Sequence, residues 1–305
     1  MVFVALFPGQ GSQSPGFLTP WLELDGARER LERYSAWSGV DLIAAGTEWD
    51  ADQIRDTQVA QPLIVAASLL SWDVFDQKQQ ITAVAGHSVG EFAAAVAAGI
   101  LSEEDALRLV GVRGRAMADA AAIEDTGMSA VIGGDQAAVI AHLESADLVA
   151  ANYNGAGQVV AAGTTAALAR LAAEPPAGTR VIPLTVAGAF HTRHMLPAAQ
   201  ALRSAAATVA VSDPNRTIWT NQDGSPVTSG ARYLELLIGQ VASPVRWDLC
   251  MASFGYAGAD GLIEYAPAGA LTGLAKRALR GTPAVAIKTP ADLASAAARV
   301  TGETE

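Results

Sequence analysis

The chain has 305 residues, half of them hydrophobic, with 31 acidic against 20 basic side chains and a formal net charge of −11. That length and apolar content suit one large core or two modest domains, while so acidic a balance excludes a nucleic-acid binder, whose surface must be basic to neutralise phosphates. The single cysteine, Cys250, excludes an internal disulfide and a cysteine-based metal site, and fits a reducing compartment.

The opening run MVFVALFP has no basic n-region and leads straight into Gly9, Gln10 and Gly11. It predicts a buried first strand over Phe3–Phe7 rather than a targeting segment. Pro62–Phe75 predicts a buried helix, Ile81–Ala85 a strand and Glu91–Ala98 a helix. The longest apolar stretch, Phe92–Leu101, is closed by Glu91 on one side and Ser102-Glu103-Glu104 on the other. It falls short of the ~20 residues a membrane span needs, so a soluble, cytoplasmic protein without membrane contact is expected. Ser102, with Asp105 three residues on, caps a further helix that reaches Ala121, in the manner of a capping box.

The pattern then changes. Met128–Gly133 predicts a strand, Gln136–Glu144 a helix, Leu148–Ala151 and Gln158–Ala162 two strands, Thr165–Ala173 a helix and Arg180–Thr185 a strand. The order β-α-β-β-α-β is the split ferredoxin-like unit, and Gly127 and Gly188 bracket it. After Gly188 the α/β alternation resumes with a helix over Arg232–Val241 that stops before Pro244, a strand at Leu262–Glu264, a helix over Gly269–Leu279 and a last strand at Ala284–Lys288. The expected fold class is therefore α/β: a large domain with a parallel sheet, formed by residues 1–126 and 188–305, and an inserted small ferredoxin-like domain over 127–187.

The stretch Gly86-His87-Ser88-Val89-Gly90 lies between a predicted strand and a predicted helix. Gly-x-Ser-x-Gly in that context is a nucleophile elbow: a tight turn that projects the serine hydroxyl above free helix N-terminal amides, which can hold a developing oxyanion. The bland alternative is a glycine-rich βα turn with an inert serine. A serine nucleophile needs a base. Of the four histidines, His87 adjoins the serine, but neighbours on a sharp turn point apart, and His142 sits in a polar helix as a surface residue. In VAGAFHTRHM, His191 is the first candidate and His194 the second, although an ordinary solvated or core histidine is commoner than a catalytic one.

Along the helix from Ser102, helical spacing puts Ala106, Leu109, Val110 and Met117 on one face, with Arg113 among them, while Arg108, Arg115 and Asp119 fall on the polar side. A guanidinium on an apolar stripe is costly unless paired. It can snorkel, pair with a buried acid, or bind a ligand carboxylate through its fork of N–H groups, and spacing alone leaves these open. The turn FPGQGSQ lacks the third glycine of a dinucleotide fingerprint, since Ser14 stands there, and lacks the Gly-Lys-Ser/Thr of a P-loop. Beside a nucleophile elbow such a turn can supply a second oxyanion amide; otherwise it is a plain βα turn.

Taken together these residues resemble the malonyl-CoA:acyl carrier protein transacylases and the acyltransferase domains of polyketide synthases. The likeness runs through nearly the whole chain: GQGSQ at 9–13, GHSVGE at 86–91, RG at 113–114, NYNGAGQVVAAG at 152–163, AFHT at 189–192, GQVASPVRW at 239–247 and LTGLAKR at 271–277. The resemblance implies an α/β-hydrolase-like large domain with a ferredoxin-like small one, and an [acyl-carrier-protein] S-malonyltransferase that works through a malonyl-serine intermediate. It implies Ser88 as nucleophile, His191 as its base, an oxyanion hole from the backbone N–H groups of Gln10 and Val89, and Arg113 as the holder of the malonyl carboxylate. It further implies that the backbone of Gln240 orients the imidazole in place of a triad acid. Val89 after the serine and Phe190 before the histidine match the malonyl rather than the methylmalonyl pattern, Phe190 crowding an α-methyl group by ~1–3 kcal/mol.

No metal and no cofactor are implied beyond the two substrates, malonyl-CoA and phosphopantetheinylated acyl carrier protein, and a monomer is expected. No ketosynthase or carrier segment flanks the motifs, so a discrete enzyme of type II fatty acid biosynthesis is expected ahead of a discrete polyketide synthase acyltransferase. A serine hydrolase would share the elbow and the histidine without needing Arg113, and a degenerate binding module would need none of the three. Carrier proteins are typically acidic, so a local basic patch should receive one; Lys276, Arg277 and Arg280, or Arg193 and Arg115, are candidates.

Overall fold

The computed structural model describes residues 1–302. Its strands are β1 (Phe3–Phe7), β2 (Ala83–Gly86), β3 (Thr126–Gly133), β4 (Val149–Gly155), β5 (Gln158–Thr164), β6 (Thr179–Pro183), β7 (Thr217–Ile218), β8 (Gly261–Glu264) and β9 (Ala284–Ala286). Its helices are α1 (Ala27–Ser38), α2 (Leu42–Thr47), α3 (Thr57–Asp73), α4 (Gly90–Ala97), α5 (Glu103–Ala121), α6 (Gln136–Ser145), α7 (Thr165–Ala173), α8 (Leu196–Ala206), α9 (Gly230–Gln240), α10 (Trp247–Tyr256), α11 (Ala270–Ala278) and α12 (Leu293–Thr301).

All five residues of β1 are buried because the strand lies in the middle of a parallel sheet, ordered β7-β2-β1-β8-β9, with helices on both faces. The pleat divides the strand between two cores. Phe3, Ala5 and Phe7 face α3, α4 and α5, whereas Val4 and Leu6 face Trp247, Phe254 and Leu271 of α10 and α11. A second sheet, fully antiparallel and ordered β4-β5-β3-β6, has the ferredoxin-like order and a core of its own in which Leu143, Leu168 and Leu171 of α6 and α7 cover Val131 and Val159. The α/β class and the two kinds of sheet follow the expectation from the sequence.

The two sheets are laced together next to the elbow. Val245 donates to the Ala151 carbonyl and accepts from the Tyr153 amide, both at 2.9 Å, so β4 is tied to the loop that precedes α10. That tie brings the end of β4 against the C-terminal ends of β1 and β2.

Several boundaries differ from the sequence reading for identifiable reasons. Helix α3 begins at Thr57, not Pro62: Asp56 is its N-cap, accepting from the Gln58 amide at 3.0 Å, and Pro62 stands inside the helix past its first turn, where its ring removes one i to i−4 hydrogen bond. Ser102 caps α5 as expected, accepting from the Asp105 amide, but its hydroxyl donates to the Asp105 carboxylate instead of completing a reciprocal box. Strand β4 runs on to Gly155 through two register irregularities, beyond the expected Ala151, and β6 ends at Pro183. Helices α1, α2, α8, α10 and α12 lie outside the predicted elements, although α8 and α12 have amphipathic spacing, α12 burying Ala296 and Val300.

Candidate active site

The elbow is built by close approach. A Cβ on Gly86 would lie 2.0 Å from the carbonyl carbon of Gly90, and one on Gly90 would lie 2.1 Å from the Phe7 carbonyl oxygen, so only glycine lets β1, β2 and the start of α4 meet. Ser88 sits between them with φ of 53°, in the left-handed region, and His191 with φ of 61°. For non-glycine residues this costs of order 1–3 kcal/mol each and needs surroundings that hold it.

Those two strained residues face each other. Ser88 Oγ lies 2.8 Å from His191 Nε2, and His191 Nδ1 lies 2.8 Å from the backbone carbonyl of Gln240, the last residue of α9. A carbonyl only accepts, so Nδ1 carries the proton and the lone pair of Nε2 is turned to the serine hydroxyl. The acceptor is a carbonyl at the end of α9, which lacks a helical donor and also accepts from the Ser243 amide at 3.2 Å. His191 is buried, and burial, seconded by the Arg113 charge, pushes its imidazole down to about 3, against the opposite pull of the Gln240 carbonyl. The histidine therefore rests neutral, as a base must.

Arg113 is 1% exposed. Its Nη1 donates to Gln61 Oε1 at 2.6 Å and its Nη2 to Gln240 Oε1 at 2.9 Å, with Ser88 Oγ 3.4 Å from the same Nη2. Its Nε has no partner. Burial lowers the guanidinium to about 10, partly offset by the charge of Glu91, so it remains a cation.

Gln10 and Val89 flank the serine from the β1 turn and the start of α4. Among the described residues neither backbone N–H has a hydrogen-bond acceptor. The Gln10 side chain reaches away, to the Arg55 carbonyl and Thr57 Oγ1, both at 3.4 Å. A cavity of about 170 Å³ opens above Ser88 between the two sheets. Gln10, Gln61, Arg113, Phe190 and His191 line one wall, and Met128, Asn152, Asn154 and Val160 of the antiparallel sheet line the other.

These features amount to a serine, a neutral base, free amide donors and a buried cation around one cavity. A model of the acyl transferase domain matches residues 2–297. The chain belongs to that family. It is 50% identical over 292 residues to the malonyl CoA-acyl carrier protein transacylase of Mycobacterium tuberculosis, covering 94% of this chain and 97% of that one. The crystal structure of MCAT from Mycobacterium tuberculosis superposes with a TM-score of 0.94 at 49% identity, covering 97% of this chain and 99% of that chain. A malonyl-transacylase solved with its type II PKS acyl-carrier protein superposes with a TM-score of 0.89 at 31% identity, over 97% of this chain and 99% of that one.

In this acyl transferase the remaining histidines stand apart from the serine. His87 turns away to Asn154 Oδ1 at 3.0 Å, edge-on to Trp247. His194 pairs with Glu124 at 3.0 Å, and His142 is half-buried on α6. The proposed basic patches are exposed, Lys276 and Arg277 in the last turn of α11 with Arg280 beyond it; Arg115 also donates to the Ser38 carbonyl. No group of three or more metal-ligating side chains occurs among the described residues, and no helix among them is long and apolar enough to cross a membrane.

Sequence reasoning missed the roles of three buried polar residues of this site, Gln61, Asn221 and Glu91, and of the side chain of Gln240, whose backbone alone was expected to act. Gln61 supplies an acceptor for Arg113. Asn221, fully buried, accepts from the Ser88 amide at 2.7 Å and donates to the Gly86 carbonyl at 2.8 Å. Glu91, in the first turn of α4, accepts from the Asn221 amide at 2.7 Å and from Gln240 Nε2 at 2.5 Å. The Gln240 side chain also donates to the Ser88 carbonyl at 2.9 Å, besides holding Arg113. Burial drives the Glu91 carboxyl up to about 8, resisted by its two donors and by Arg113. The traces of this network in the sequence motifs are the acid that closes GHSVGE and the glutamine of GQVASPVRW.

Proposed function

We propose that this acyl transferase moves a malonyl group from malonyl-CoA to the phosphopantetheine thiol of acyl carrier protein, as in type II fatty acid biosynthesis, through a malonyl ester on Ser88. The observation that carries this reading is Arg113: a buried cation within 3.4 Å of the serine hydroxyl, with an unpartnered Nε, beside a cavity that has room for a small acid. A ligand carboxylate satisfies that cation with two charge-assisted hydrogen bonds, whereas a neutral ester leaves it unused. The names of the relatives agree with this choice.

In the proposed reaction the malonyl carboxylate sits on Arg113 and the thioester carbonyl meets Ser88. His191 Nε2 takes the hydroxyl proton as Oγ bonds to the carbonyl carbon. The oxyanion is received by the N–H groups of Gln10 and Val89. The C–S bond then breaks, His191 returns the proton to the coenzyme A thiolate, and the malonyl-serine ester remains. The carrier thiol repeats the cycle in reverse: His191 takes its proton, sulfur attacks the ester, and the proton returns to Ser88 Oγ. The Gln240 carbonyl holds the imidazole tautomer throughout, the part an acid has in other triads. Phe190 narrows the cavity at the α-carbon of the acyl group. Residues 1–126 and 188–305 supply the reacting groups in this reading, and 127–187 form the wall that keeps water off the ester.

The test is intact mass after mixing wild type and Ser88→Ala with malonyl-CoA. A single malonyl adduct on wild type, absent from the variant and discharged by holo carrier protein, is the expected result. Free malonate with no adduct and no transfer would replace this reading with hydrolysis.

A further inference from the structure

The hydrogen bonds beneath the elbow close into a ring. Asn221 Oδ1 accepts from Ser88 N–H; Asn221 N–H donates to Glu91 Oε1; Gln240 Nε2 donates to both Glu91 Oε2 and the Ser88 carbonyl. Asn221 and Gln240 come from distant parts of the chain and Glu91 from the first turn of the elbow's own helix, and all three are at most 5% exposed. None of the three side chains reaches the cavity through the ring; they act on the serine's backbone.

The placement of Asn221 follows from the sheet. β7 pairs with β2 at Ala83 and Val84 and then ends at Ile218. Three residues later the Asn221 side chain continues where the ladder stopped, its amide donating to Gly86 O and accepting from Ser88 N–H as a neighbouring peptide unit would. A side chain can do this where a strand cannot, because the backbone of Ser88 has already turned into the left-handed region. Glu91 gives the ring its polarity. Its two oxygens accept in the ring, one from the Asn221 N–H and one from Gln240 Nε2, and with Arg113 donating to Gln240 Oε1 this fixes the Gln240 amide with Nε2 toward the elbow and Oε1 toward Arg113.

We propose that Asn221, oriented by Glu91, is a positioning residue that holds Ser88 in its left-handed conformation and so aims Oγ at His191 Nε2. The inference deepens the transferase reading and rests on it for the substrate, but it concerns the reactivity of the serine rather than recognition of the acyl group. Asn221→Ala removes the link to both Gly86 and Ser88. Glu91→Gln keeps size and shape but presents a donor to one of two donors, so the ring cannot close, and it serves where the alanine variant folds poorly.

Two measurements separate positioning from general damage. The first is the rate at which a fluorophosphonate labels Ser88, a reaction in which Oγ bonds to phosphorus, fluoride leaves and His191 takes the proton, and for which malonyl recognition is irrelevant. The second is the affinity for malonyl-CoA in a Ser88→Ala background, with and without the second substitution. Labelling should slow by about 10- to 100-fold in Asn221→Ala and in Glu91→Gln, the scale set by misaligned reacting groups, while affinity in the Ser88→Ala background stays the same. Labelling at the wild-type rate overturns the proposal, and so does a loss of affinity in step with the loss of labelling. If wild type takes the fluorophosphonate but no malonyl, the substrate reading falls alone and the labelling comparison still decides the role of Asn221.

Discussion

Arg113→Ala separates a malonyl transferase from any enzyme that merely shares its elbow. The side chain is buried and its two terminal nitrogens are held at 2.6 and 2.9 Å by Gln61 and Gln240, so the fork is fixed before substrate arrives. A carboxylate on that fork makes two charge-assisted hydrogen bonds, each worth about 1.5–3 kcal/mol. Their joint loss of about 3–6 kcal/mol corresponds to roughly 10²- to 10⁴-fold in kcat/KM at a factor of ten per 1.36 kcal/mol. Acetyl-CoA has no carboxylate to lose, and its transfer should change by less than about tenfold, mostly through the void left beside Ser88. The assay is release of coenzyme A from each thioester in the presence of holo carrier protein, with melting temperature as a control. The same fractional loss for both substrates, or malonyl transfer kept within tenfold of wild type, would refute the assignment of Arg113 to the malonyl carboxylate.

Three further outcomes are expected. His191 must be neutral to act, and its imidazole lies far below the ordinary 6.5, at about 3, so kcat/KM for acylation should stay level as pH falls from 8 to 5 and drop only below that; a descending limb centred near 6.5 would contradict it. A bound malonyl carboxylate cancels the Arg113 charge that helps depress the imidazole, so the acid limb of kcat should lie at higher pH than that of kcat/KM. Gly90→Ala places a methyl group 2.1 Å from the Phe7 carbonyl, a backbone atom that cannot swing aside, and should destabilise the protein by about 3 kcal/mol or more in urea titration.

What the sequence made legible is what local spacing encodes. The elbow could be read because its glycines, serine and flanking elements form one unbroken stretch, Ala83–Ala97, and the burial of Arg113 because helical periodicity put it among Ala106, Leu109, Val110 and Met117. Position puts His191 ahead of His194 without deciding between them, and the resemblance names it as the base. The helix starting at Thr57 was missed by five residues because proline is a familiar first-turn residue, and the actual cap, Asp56, stands inside a polar run without periodicity. Strand β7, two residues long, has no readable pattern at all, yet it delivers Asn221 to the elbow.

The illegible part of the site has a common physical character. Gln61, Glu91, Asn221 and the side chain of Gln240 are buried polar groups whose value lies in partners far along the chain: 52 residues separate Gln61 from Arg113 and 130 separate Asn221 from Glu91. Periodicity marks a residue as buried or exposed, but it says nothing of which buried donor meets which acceptor, and a buried polar residue in an apolar run reads as an exception rather than as a partner. Such groups are stable only as a complete set, because each left unpaired costs more than it gains when paired. The serine and the histidine, both strained, are therefore held by residues that sequence inspection passes over, and the reactive pair it finds most easily is the part of the site least able to hold itself in place.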